Sequence, residues 1–201
     1  MNESLRAKAA SLLEELAQIP GVHACSIYGS LMDGREDHLS DIDIEVDVSG
    51  MDNGEFALRL PEIMRRRMPI VYSDYAPSLA PDQYVVSLAL DQMNPFLIAD
   101  IRCFAQPHCD TVSRESLQLR NHPYTHMLKL WTANLKHYAR KGDCRGGILR
   151  MAQKAKINDP ESKTDAELLA DVLRWLEVNA PSELQLFVRS CREAYERLMA
   201  E

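Results

Sequence analysis

A chain of 201 residues with 46% hydrophobic and 26% charged positions can bury a core without disulfides or a structural metal. Its net charge of −7 and pI near 5.4 speak against nucleic acid as a partner, since proteins that hold long polynucleotides carry basic stripes for phosphate contact. A cationic small molecule suits this balance better. The one dense basic run, Arg65-Arg66-Arg67, reads as a solvated helix face. Cys25, Cys103, Cys109, Cys144 and Cys191 are odd in number, scattered, and contain no C-x-x-C, a pattern of reduced cytoplasmic thiols. No apolar run reaches the ~18 residues of a membrane span, and the start lacks the pattern of a signal peptide. The expectation is a cytoplasmic protein without a membrane partner.

In chain order, Leu5, Ala9, Leu12, Leu13 and Leu16 draw one helical stripe over residues 3–18, stopped by Pro20-Gly21. Val22 to Tyr28 is a short strand, Gly29 to Ser40 a polar loop, and Asp41 to Val48 alternates strictly as a second strand. Gly50 to Gly54 reads as a turn. Residues 55–68 read as a helix with Pro61 near its start or at a kink. Ile70 to Tyr75 is a third short strand and Pro77 to Pro81 a loop. Tyr84 to Leu90 and Phe96 to Phe104 form a hairpin with a longer turn. Beyond residue 120 the pattern is helical. One helix carries Leu128, Trp131, Leu135 and Tyr138 and ends at Lys141-Gly142. A second covers about 145–156. A third begins at Thr164, where Thr164 and Glu167 have capping-box spacing. The last opens at Pro181-Ser182. The layout is an α/β half over roughly residues 1–115 and a helical half over roughly 120–201.

The chemistry concentrates in Tyr28 to Val48, YGSLMDGREDHLSDIDIEVDV. On a strand, Asp41, Asp43, Glu45 and Asp47 share one face, and Ile42, Ile44, Val46 and Val48 take the other. The apolar set belongs in a core, which leaves a row of carboxylates that repel unless solvent or cations compensate. Asp41 and Asp43 are spaced to converge on a pair of divalent ions, and hard oxygen ligands favour Mg²⁺. Gly29 allows a sharp turn and close backbone approach to a ligand, and the Ser30 hydroxyl can reach phosphate oxygens. An acidic strand alone is most often just a wetted sheet face; the Gly-Ser placed before it narrows the reading.

Residues 28–44 resemble the signature of the polymerase-beta-type nucleotidyltransferase superfamily: an apolar residue, Gly-Ser, about nine to thirteen residues, then Asp-apolar-Asp/Glu-apolar. The resemblance implies an α/β (α+β) nucleotidyltransferase fold with a mixed sheet flanked by helices, followed by a C-terminal helical bundle. It implies that Gly29 and Ser30 hold the triphosphate of an NTP and that Asp41 and Asp43 bind two Mg²⁺ ions. A third acid from a later strand is matched by Asp100, in Leu97-Ile98-Ala99-Asp100-Ile101-Arg102. A carboxylate in so apolar a run needs a cation or donor, and Asp100 is a candidate general base; its plainer alternative is an ion pair with Arg102. The two-part layout resembles the small antibiotic nucleotidyltransferases that modify lincosamides or aminoglycosides. The stretch Leu130 to Leu135 with Ala139 to Asp143 resembles the helical, acceptor-binding domain of the lincosamide enzymes.

The expected reaction is transfer of a nucleoside monophosphate, AMP first among the candidates, to a hydroxyl of a small molecule, with release of pyrophosphate. Rival readings are a protein or RNA acceptor, or a non-catalytic, antitoxin-like regulator. Lys136, Arg140 and Lys141 suit either phosphate contact or a solvated helix end. The sequence leaves open whether the chain is a monomer or a homodimer. His122 and His126 lack the context of a zinc helix, Cys103, His108 and Cys109 lack a fourth ligand, Cys144 lacks a base, and Trp131 and Trp175 read as core.

Overall fold

The computed structural model describes residues 2–76, 80 and 82–200, with side chains from Leu5 onward. The loop expected over Pro77 to Pro81 lies mostly outside the described residues. The chain divides into two compact units, one of residues 1–91 with 96–121, the other of residues 92–95 with 122–201.

The first unit is built on a five-stranded mixed sheet. Its strands are β1 (Ala24–Tyr28), β2 (Ile42–Asp47), β3 (Tyr72–Ala76), β4 (Gln83–Ala89) and β5 (Ile98–Phe104), in the order β1-β2-β5-β4-β3. β1 pairs antiparallel with β2, β3 with β4, and β4 with β5, whereas β2 and β5 run parallel. The alternation read from Asp41 to Val48 is realised: Ile42, Ile44, Val46 and Val48 are fully buried while Asp43, Glu45 and Asp47 are only half-buried. The apolar face meets two helices, α1 (Asn2–Ala17) and α3 (Asn53–Arg65). Ala9, Leu12 and Leu16 of α1 and Phe56, Ala57, Leu60 and Met64 of α3 join Ile42, Ile44, Val46, Val86, Leu88, Ala99 and Ile101 in one core. Asp52 caps α3 by accepting from the Glu55 amide at 2.8 Å. Pro61 lies within this helix, not at its start, and removes the amide that would otherwise reach Ala57.

Two short helices fall where no periodicity could announce them. α2 (Ser30–Asp33) is a single turn inside the expected polar loop, and α4 (Arg114–Gln118) follows the sheet. Just past α4, the Asn121 side chain accepts from the Tyr75 amide at 2.7 Å and donates to the Tyr75 carbonyl at 2.9 Å, so an amide side chain occupies the free edge of β3 and blunts it against pairing with other chains.

The second unit is helical: α5 (Pro123–Ala139), α6 (Arg145–Lys154), α7 (Asp165–Asn179) and α8 (Gln185–Ala200). α5 ends where Lys141 takes a positive φ of 55° and the Gly142 amide returns to His137 at 2.8 Å. The capping box at Thr164 and Glu167 is formed in full. Trp131 is entirely buried and donates its indole N–H to the Leu169 carbonyl at 2.8 Å. Trp175 departs from the core reading: it is half-buried, with its ring 5.5 Å from that of Tyr124. A one-turn 3-10 segment (Ser182–Leu184) precedes α8 where the sequence suggested the helix itself opens. Among the described residues no helix is long and apolar enough to cross a membrane.

Candidate active site

The parallel pairing of β2 with β5 sets Asp43 directly opposite Asp100. The neighbouring registers extend this line across the whole sheet: Tyr28 opposite Asp43, Ser87 opposite Asp100, and Asp74 opposite Ser87. Since cross-strand partners point to the same face, Tyr28, Asp43, Asp100, Ser87 and Asp74 form one polar row on the face away from α1 and α3. Adjacent strands lie about 4.8 Å apart, so Asp43 and Asp100 bring two carboxylates into mutual range. Burial and then the Asp100 charge push the Asp43 carboxyl up to about 6, with Arg102 opposing. A carboxyl raised in this way is one that a cation would relieve.

The other acids of β2 are occupied differently. Glu45 sits opposite Arg102 and forms an ion pair with it at 2.6 Å. The Arg102 guanidinium also lies 4.2 Å over the Tyr28 ring, an arrangement that holds it by charge and quadrupole together. Asp47 accepts from the Ser49 amide at 2.8 Å and from its hydroxyl at 2.5 Å, which holds its carboxyl below the usual range. The sequence allowed Arg102 to pair with Asp100; register assigns it to Glu45 instead. Asp100 takes a hydrogen bond from the Ser87 hydroxyl.

Gly29 closes β1 with φ 71° and ψ −149°, a region essentially reserved for glycine. A Cβ at this position would stand 2.5 Å from Asp43 Oδ2, so glycine is what lets the turn lie against the carboxylate. Ser30 starts the α2 turn, and the Arg35 amide returns to the Ser30 carbonyl at 2.9 Å. The following loop is organised by Asp37, which accepts from the Leu39 amide and the Ser40 hydroxyl, each at 2.9 Å. This loop delivers Asp41, half-buried and one residue ahead of β2.

The structure thus brings Gly29, Asp43 and Asp100 together, with Ser30 next in the turn. Asp41 stands apart from the pair: among the described residues no group of three or more His, Cys, Asp or Glu side chains is gathered to hold a metal ion. Cys103 is wholly buried in the core and Cys109 is exposed. Ser87 and Asp74, both almost completely buried, were missed in the sequence. Their signal is pairing register, which a single sequence does not carry.

The donor set of Asp43 and Asp100 is all carboxylate oxygen and half-buried, the chemistry that takes Mg²⁺ with water or substrate oxygens completing the shell. No protein-family model matches the chain, and no curated protein matches it significantly in sequence.

Proposed function

We propose that this chain is a Mg²⁺-dependent nucleotidyltransferase that moves a nucleoside monophosphate from an NTP to the hydroxyl of a small molecule. The observation that carries the reading is the Asp43–Asp100 pair, two carboxylates held opposite each other on adjacent strands beside the Gly29 turn. Two like charges set side by side by the fold call for a cation, and the resemblance of residues 28–44 to the superfamily signature supports Mg²⁺. Asp43 and Asp100 would hold it; Asp41, two residues upstream of Asp43, is the further carboxylate that the signature assigns to the cations, and it is not gathered with that pair. Bound there, divalent ions neutralise charge on the reacting phosphate oxygens. Gly29 keeps the backbone low so that a triphosphate can approach Asp43, and the Ser30 hydroxyl donates to it. Asp100 accepts the proton of the acceptor hydroxyl as that oxygen attacks the α-phosphorus and pyrophosphate leaves. The acidic balance and the helical second unit support a small cationic acceptor, with aminoglycosides and lincosamides the first to try and ATP the first donor.

One observation favours a second reading. Asp41 is not gathered with the other two acids, as in a non-catalytic, antitoxin-like regulator that has lost the reaction but kept the fold.

Pyrophosphate release from each of the four NTPs with Mg²⁺ and a panel of aminoglycosides and lincosamides separates the two. Acceptor-dependent release that disappears in Asp43→Asn and Asp100→Asn is the expected result. NTP binding without release on any acceptor redirects the search to protein or RNA acceptors. Absence of both binding and release moves the assignment to the regulator.

A further inference from the structure

Ser87 is a hydroxyl in a place where hydroxyls are scarce. It lies on β4 with 0% exposure, between Val86 and Leu88, which are equally buried. A polar group in such a position requires a partner, and one partner of Ser87 is the Asp100 carboxylate, Oδ1 accepting from the Ser87 Oγ–H. The two residues are opposite one another in the antiparallel β4–β5 register. Asp100 is therefore gripped between two strands of different kind: β2 brings an acid to its side, and β4 brings a donor.

We infer that Ser87 is a positioning residue for the divalent-cation site. Its hydroxyl fixes the rotation of the Asp100 carboxylate about the Cβ–Cγ bond, so that Oδ1 stays with β4 and Oδ2 is the oxygen given to the cation. The inference rests on the nucleotidyltransferase reading of Asp43 and Asp100. Neither the alternating acidic strand nor the signature motif includes Ser87, which stands in a third strand and reaches the site through Asp100. Partners that orient a ligating carboxylate matter on the scale of 10–100-fold in metal affinity or activity, and a free carboxylate rotor loses affinity because it must be ordered on binding.

The test is titration of the full chain with Mn²⁺, followed by its electron paramagnetic resonance signal, with and without ATP. It uses wild type, Ser87→Ala, Ser87→Thr, Asp43→Asn and Asp100→Asn, with melting temperatures as a folding control. Ser87→Ala removes one oxygen and should stay folded; it is expected to weaken Mn²⁺ binding about tenfold. Ser87→Thr, which keeps the hydroxyl, is expected to restore binding to within about threefold of wild type. Ser87→Ala that binds Mn²⁺ as tightly as wild type, while Asp43→Asn and Asp100→Asn lose it, would overturn the positioning role and leave the cation site standing. Mn²⁺ binding unaffected in Asp43→Asn and Asp100→Asn would overturn both the positioning role and the function it rests on.

Discussion

At the residue scale, the Asp43–Asp100 pair carries an electrostatic cost. The folded Asp43 carboxyl is raised from 3.8 to about 6, so the folded chain holds that proton more tightly than the unfolded one. Its stabilising contribution is complete below about pH 3.8 and is lost as pH rises through 6. Because the carboxylate is only half-buried, solvent screening reduces the stability so lost at neutral pH to about 1 kcal/mol. Chelator-treated Asp43→Asn is therefore expected to melt about 3 °C above wild type at pH 7.5 and level with it near pH 4. Identical melting at both pH values would show that the two acids do not strain each other. Gly29 is the second residue-scale case. Gly29→Ala must adopt a backbone region that costs about 1–3 kcal/mol and push Asp43 aside from a Cβ only 2.5 Å away. Chemical denaturation should register a loss of at least about 2 kcal/mol, and a neutral Gly29→Ala would contradict the turn described here.

At the scale of elements, local chemistry was readable wherever it repeats or caps. The alternation over residues 41–48, the α1 stripe and the Thr164–Glu167 capping box each require only neighbours in sequence, and each formed as read. Thr164→Ala removes the cap and is expected to cost about 1 kcal/mol by denaturant titration, an effect absent if α7 is held by packing alone. The features that escaped are of two kinds. α2 and α4 are four and five residues long, too short for any helical period to show. The choice of Glu45 over Asp100 as the partner of Arg102, and the recruitment of Ser87 and Asp74, depend on which residue stands opposite which. Both Glu45 and Asp100 are plausible partners in one dimension; only the ladder between β2 and β5 puts Glu45 across from Arg102. Trp175 shows the converse limit, since helical spacing places a residue near a core-facing stripe without saying whether it is covered.

At the scale of the molecule, each unit has buried apolar residues of its own, between the sheet and its helices in the first and on α5 to α8 in the second. A cavity opened in either interior is expected to cost about 2–5 kcal/mol. Leu12→Ala, in the first unit, should weaken hydrogen-exchange protection chiefly in β1, β2 and α1. Leu173→Ala, in the second, should weaken it chiefly in α5 to α8. Equal losses in both units from either substitution would mean that the two cores open as one.

Of the four strand pairings, three join strands that follow one another along the chain; the fourth, β2 with β5, joins strands separated by α3, β3 and β4. That single non-local seam is where Asp43 faces Asp100. A hairpin and a three-stranded meander thus each carry one of the two acids, and neither piece owns the pair. A chain severed in the turn at Gly50-Met51, between β2 and α3, would leave both sub-sheets whole and part the acids between two fragments. Any chemistry that needs both acids would then return only when the fragments reunite, which makes this topology a ready-made complementation reporter.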